Sequence, residues 1–261
     1  MVKVRITRID VSTGNVQELT DWIAQEKPLY VFLNRKHYAT IFCSPSDAKE
    51  LAVGHLLTEG MLKNVDEIDV VTLDEKKRVC RIRLKEDVDV EKRLRMSKNL
   101  SRVIFSACGT KRPYQPSQRL PKIKSNIKVS AEIVSNCVRQ LNVLAETFRK
   151  TGGVHAAAIH RFDGAKVAFA EDVGRHNAVD KVIGIAALNR HDFGECLLCS
   201  TGRLTGDMVF KAATMGLPVV ASLAAAIDSG ITIAKGVDLT LVGFVRGKRM
   251  NIYSSPERIV P

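Results

Sequence analysis

The sequence predicts a layered α/β domain behind a smaller α+β domain, and three observations lead there. From residue 130 onward, apolar strand-like runs alternate with helix-like runs, the pattern of strands and helices stacked in layers. Ahead of residue 108, short alternating strands surround one strongly apolar helix. Between them, Gly109–Ser130 holds Pro113, Pro116 and Pro121, six basic residues and no acid, the composition of an exposed linker. The chain therefore divides at 1–108, 109–129 and 130–261.

In the first part, residues 2–42 read as strands. Leu29, Val31 and Leu33 alternate, Asn34-Arg35-Lys36 turns, and Tyr38–Phe42 returns. Ser44-Pro45-Ser46-Asp47 has the chemistry of a helix start, Pro standing at the first helical position, and Gly60 stops that helix after Glu59. Strands follow at 68–73 and 79–84, where Cys80, Ile82 and Leu84 alternate with Arg81 and Arg83, which turns Cys80 toward the core. Residues 86–102 are charged and weakly patterned.

In the last part, Ser130 caps a helix whose Ile133, Cys137, Leu141, Leu144 and Phe148 share a face. Strands are expected at 154–161 and 166–171, joined by Asp163-Gly164, then at 195–201, 218–222, 239–245 and 249–253. Helices are expected at 177–189, 205–215 and 228–236. This order argues a largely parallel sheet with one antiparallel hairpin.

Charge narrows the partners. Lys and Arg number 40 against 28 Asp and Glu, a net +12, which favours phosphate-bearing ligands, nucleic acid or acidic membranes, or simply makes a basic surface. No run approaches the roughly 20 apolar residues of a membrane span, and the start of the chain does not resemble a signal peptide. Aromatic residues are only 5%, too few to interleave with cations as single-strand nucleic-acid binders do. Six scattered cysteines read as reduced thiols of a cytoplasmic protein.

The stretch 152–184 gathers the most ionisable groups. Glu171-Asp172-Val173-Gly174-Arg175-His176-Asn177-Ala178-Val179-Asp180-Lys181 sits between a buried strand and a buried helix, so these groups should form a paired network at the strand ends. His155 reads as a hydrogen-bonded core histidine, and His176 as a member of a network with Asp172, Arg175 and Asp180. Cys108 follows an apolar run, precedes Gly109, and has Lys111 and Arg112 nearby; cations and exposure make a thiol nucleophilic. A structural cysteine at a strand end would show the same spacing.

Cys196-x-x-Cys199 with His155 mimics the zinc-deaminase pattern, but the position of its proton-shuttling Glu is Ala157, and Glu195 stands where its Pro would be. A strand also points residues three apart to opposite faces, so no metal site is assigned. Thr201–Asp207, a Gly turn into a helix with Arg203 and then Lys211, suits a phosphate or is an ordinary turn. Phe244-Val245-Arg246-Gly247-Lys248-Arg249 is an anion clamp or a basic hairpin.

At these residues, and at Lys27-Pro28-Leu29, Leu51–Gly60, Gly153–Ala157, Ser200–Lys211 and Leu241–Tyr253, the chain resembles the FdhD family, sulfurtransferases that serve formate dehydrogenases. The resemblance implies a cytidine-deaminase-like C-terminal domain without its zinc. It implies sulfur accepted from a cysteine desulfurase as a persulfide on Cys108 and passed to the bis-molybdopterin guanine dinucleotide cofactor, for formate dehydrogenase. The cofactor segment maps onto Phe244, Val245, Arg246, Gly247, Lys248 and Arg249, and Arg203 and Lys211 would add cations. Many members carry Cys-Gly-x-Cys-Gly; here the second cysteine is Lys111. The alternative is a cofactor-binding chaperone that transfers no sulfur. A homodimer is expected on general grounds.

Overall fold

The computed structural model describes residues 1–90, 92, 93, 102–104 and 122–261. Cys108 and most of the expected linker lie outside them. Its final part, 122–129, is described and is docked: Ile123 is buried, donates its amide to the Val237 carbonyl, and has its own carbonyl held by Arg258.

Strands β1 (Val2–Ile9) and β2 (Val16–Ile23) form a separate antiparallel ribbon. A five-stranded sheet follows, built from β3 (Lys27–Leu33), β4 (Lys36–Cys43), β5 (Ile68–Asp74), β6 (Val79–Leu84) and β7 (Arg102–Ile104), in the order β5-β6-β3-β4-β7. Asn34 and Arg35 both take positive φ, 44° and 69°, as a tight turn with the right twist for a hairpin requires. Leu29, Val31 and Leu33 point into the core, as their alternation predicts, and so do Cys80 and Ile82.

Helix α1 (Ala48–Thr58) lies on this sheet. It begins after Asp47, later than the Ser-Pro signal suggests, because Ser44 is engaged elsewhere: its amide donates to Asp172 (2.9 Å) and its hydroxyl accepts from the Val173 amide (3.1 Å). The stop is where the sequence puts it, with Gly60 at φ 71°.

The C-terminal half contains β8 (Val129–Ser130), α2 (Ala131–Leu144), α3 (Glu146–Thr151), β9 (His155–Arg161), β10 (Lys166–Asp172), α4 (Arg175–Leu188), β11 (Cys196–Ser200), α5 (Gly206–Thr214), β12 (Val219–Ser222), α6 (Asp228–Gly236), β13 (Thr240–Arg246), β14 (Arg249–Ser254) and β15 (Ile259–Val260). Ser130 caps α2 as expected, accepting from the Ile133 amide at 3.1 Å. The sheet order is β10-β9-β11-β12-β13-β14, and only β11, β12 and β13 run parallel. The expectation of a largely parallel sheet with one hairpin is therefore corrected: antiparallel hairpins β9–β10 and β13–β14 flank a parallel centre. The helix after β10 returns the chain beside β9 rather than β10, so β11 runs against its neighbour.

One apolar core spans both halves, from Leu29 and Leu56 through Val182 and Ile183 to Leu198. A second fills the space between α2 and the other face of the sheet. At the centre α1 and α4 cross with their backbones in contact. A Cβ on Gly54 would lie 1.8 Å from the Asp180 carbonyl oxygen, and one on Gly184 would lie 1.9 Å from that of Glu50. Nothing larger than glycine fits either position without moving a helix. Among the described residues, no helix is long and apolar enough to cross a membrane.

Candidate functional site

The acids of the 171–181 stretch are paired, but not with the partners their spacing suggests. Asp172, fully buried, meets Lys181 at 2.8 Å and accepts from the amides of Ser44 and Gly174 and the side chain of Asn177. Lys181 also donates to the carbonyls of Glu171 and Ser44, so this buried cation is fully engaged. Asp180 meets Lys211 at 2.9 Å and accepts from Thr58 (2.9 Å) and His55 (3.1 Å). Burial alone would raise the Asp180 carboxyl, but Lys211 and the His55 hydrogen bond outweigh it and hold it below the ordinary carboxylate value. Both networks tie α4 to the N-terminal half.

Lys211, expected to add its charge to a phosphate site, is an internal cation. Its ammonium is buried against Asp180 and Thr58, with Glu59 at 3.9 Å. His176 is corrected too: Asp172 and Asp180 bond to lysines instead. Its ring is buried, its Nε2 has no partner among the described residues, and burial, then Lys211 and Arg175, push it down to about 3, so it is neutral.

The exposed cations among the expected site residues, Arg203, Arg246, Lys248 and Arg249, share one edge. Because β11, β12 and β13 are parallel and in register, the chain leaves them on the same side, through 201–205, 223–227 and 244–249. In an open α/β sheet that carboxyl edge is the usual place for a ligand. The antiparallel β9 begins there with His155, and β10 ends there with Asp172 before the N-terminus of α4.

These loops are held by their backbones. The Leu204 amide donates to Ala225, Ile227 to Leu204, Leu223 to Ser200, and Phe244 to Ala224. Gly202 is required, since a Cβ there would come within 2.9 Å of the Arg175 side chain. His155 Nδ1 lies 3.2 Å from the Thr201 hydroxyl, which accepts from the Ala156 amide. Burial, then the positive charges of Arg175 and Arg203, lower the His155 pKa.

Of the residues the sequence singled out, Arg203 is exposed in the turn after β11. Arg246 donates to the Leu223 carbonyl (2.8 Å) and lies over the Phe244 ring at 5.6 Å. Phe244 is half-buried at φ 50°, Val245 turns into the core, and Gly247 at φ 58° makes the turn that presents Lys248 and Arg249 to solvent. The edge therefore carries the exposed Arg203, Arg246, Lys248 and Arg249, with Thr205 Oγ1 buried at the start of α5 and unpartnered among the described residues.

Cys196 and Cys199 fall in different cores on opposite faces of β11, so they cannot share a metal. Sequence reasoning missed Ser44, His55 and Thr58. The available signal was His55 and Thr58 standing three apart in the otherwise apolar Leu51–Thr58.

The FdhD/NarQ family model matches residues 24–260. The chain belongs to the FdhD/NarQ family. Among relatives of this family, a sulfur carrier protein from Sulfolobus acidocaldarius is 36% identical, the match covering 98% of both chains. One from Shouchella clausii is 33% identical over 94% of this chain and 92% of its own. A crystal structure from Desulfotalea psychrophila, described as a formate dehydrogenase accessory protein, superposes with a TM-score of 0.79 over 99% of each chain, at 25% identity.

Proposed function

We propose that this FdhD/NarQ member is a cytoplasmic sulfur carrier that acts as a sulfurtransferase. Cys108 takes sulfur from a cysteine desulfurase and delivers it to the bis-molybdopterin guanine dinucleotide cofactor, as formate dehydrogenase requires. In the loading step the Cys108 thiolate attacks the outer sulfur of the donor's persulfide. The donor's S–S bond breaks, its cysteine leaves as thiolate, and Cys108 becomes the persulfide, with atoms and charge conserved. The cofactor is cargo, and its phosphates suit the exposed Arg203, Arg246, Lys248 and Arg249.

The observation that carries this reading is where β7 ends. It pairs parallel with β4, Ile104 opposite Ile41, so both strands leave the sheet at the end where Ser44 joins Asp172. Cys108 follows Ile104 by four residues, a reach of roughly 14 Å at full extension. The Cys108 backbone is thus tethered within that reach of the end of β7. The remaining cysteines are poor candidates: Cys43, Cys80, Cys137, Cys196 and Cys199 are buried, and burial pushes the Cys43 and Cys80 thiols up to about 12.

The same reading makes 1–108 and 130–261 two units joined by 109–129. It makes the second a cytidine-deaminase-like layer without zinc chemistry, a view supported by Ala157 and by the opposed Cys196 and Cys199. One observation favours a cofactor chaperone without sulfur transfer: Lys111 stands where many members have a second cysteine. Incubation with a desulfurase and sulfur-radiolabelled cysteine separates the two. Label retained by the protein and lost in Cys108→Ala supports transfer; label that persists in Cys108→Ala, or never appears, refutes it.

A further inference from the structure

The five-stranded sheet of the N-terminal half has a second face that the reading above does not use. Helix α1 covers one side. Phe32, Val70, Thr72, Arg81 and Arg83 stand on the other, turned away from the buried Leu33, Cys80 and Ile82. In register, Arg81 lies between Phe32 of β3 and Thr72 of β5, and Val70 is beside Arg83. These side chains line a groove of about 600 Å³, bordered by Arg35 of the β3–β4 turn. The groove is held in place by its backbone. The Asn34 amide donates to the Ile82 carbonyl at 3.0 Å, and Asn34 Oδ1 accepts from the Leu84 amide at 2.9 Å, so the turn is fastened to β6. Arg81 lies over the Phe32 ring, 5.4 Å from its centroid, and a guanidinium laid on a ring keeps its edge N–H groups for a ligand. A surface ordered in advance loses less freedom on binding.

Charge in the groove is one-sided. Arg35, Arg81, Arg83 and Lys85 line it against one acid, Glu86. Arg83 is paired with Asp69 at 2.6 Å, but Arg35, Arg81 and Lys85 have no ion pair among the described residues. Arg81, Arg83 and Lys85 alternate along the chain, and the Lys85 amide still bonds the Glu67 carbonyl, so the three form a row with a repeat of about 7 Å. An extended peptide has the same repeat on each of its faces, and carboxylates at every second position would fall in step with the row. A nucleic-acid strand would also bring negative charge. Single strands, however, bind by stacking bases on aromatic rings, and Arg81 covers Phe32, the one aromatic residue lining the groove.

We propose that this groove binds an extended acidic segment of a partner protein, whose carboxylates at alternate positions pair with the row Arg81, Arg83 and Lys85. Clusters of arginine are a recurring means of holding acidic motifs. The groove lies on the N-terminal sheet, whereas the basic edge belongs to the larger sheet, so both can be occupied at once. Because the cations are exposed, added salt weakens the contact by screening.

Fluorescence anisotropy of the full chain with three labelled probes tests this. The probes are a peptide of alternating glutamate and threonine, a peptide of the same composition with its glutamates in one block, and an oligothymidylate of matched charge. The alternating peptide should bind most tightly, and Arg81→Gln/Arg83→Gln should weaken it at least about tenfold. Lys76→Gln/Lys77→Gln removes the same charge from the exposed β5–β6 turn and should leave that binding little changed. No binding of the alternating peptide, equal binding of the blocked one, or equal losses in the two variants overturns the proposal. Tighter binding of the oligothymidylate, lost in Arg81→Gln/Arg83→Gln, also overturns it and makes the groove a nucleic-acid site.

Discussion

The buried junction between the halves and the basic edge of the larger sheet use the same residue types for opposite ends. At the junction, Lys181 and Lys211 are buried, Lys181 closed onto Asp172 and the Ser44 carbonyl, and Lys211 onto Asp180 and Thr58 with Glu59 at 3.9 Å. At the edge, Arg203, Lys248 and Arg249 are exposed, and Arg246 is anchored through Nε and against the Phe244 ring. A lysine paired in the interior has no electrostatic reach left for a ligand, whereas an exposed arginine keeps its planar donors. The junction fixes geometry, and in the proposed function the edge supplies affinity.

The largest break in this contrast comes at the helix crossing. Gly184→Leu places a side chain where even a Cβ would lie 1.9 Å from the Glu50 carbonyl oxygen. The halves must separate, and we expect loss of cooperative folding in urea titrations. Asp180→Ala comes next: it leaves Lys211 buried without its partner, for about 3–5 kcal/mol. Thermal melts would check it, and Asp180→Ala/Lys211→Met should recover part of that loss. A double variant no better than the single one would show that Lys211 is not held by Asp180.

Strong acid should weaken the junction. The Asp180 pKa is depressed in the folded chain, so the stability it contributes is present above the ordinary carboxylate value, near 4. That contribution is lost as pH falls from there toward about 2. Asp180→Asn should flatten this part of a stability-versus-pH curve. The smallest effect on folding, within about 0.5 kcal/mol, is expected for Arg203→Gln. The same variant should weaken pyrophosphate binding, read by calorimetry, by about 1.5–3 kcal/mol. Equal binding by variant and wild type would remove Arg203 from the site.

Much of the fold was legible because burial leaves periodic marks. Leu29, Val31 and Leu33 announced a strand, Ser130 a helix cap, and Gly60 a stop. The sheet order was not, since nothing local tells β11 to lie beside β9 rather than β10. The site was legible in part. Gly202 and Gly247 marked the turns, and the arginines marked the edge. Lys211 misled because its partners Asp180 and Thr58 lie 31 and 153 residues away, and no local pattern records which buried acid meets which base. Ser44 misled for the same reason: a good cap residue was drawn to a carboxylate 128 residues on.

The central claim is that one cysteine carries the sulfur while the other five serve the core. Peptide-resolved mass spectrometry of the full chain, after incubation with a cysteine desulfurase and cysteine, tests it most directly. The account predicts one added sulfur atom on the peptide containing Cys108 and none on those containing Cys43, Cys80, Cys137, Cys196 or Cys199. Sulfur on any of those five, or on no cysteine at all, would contradict it.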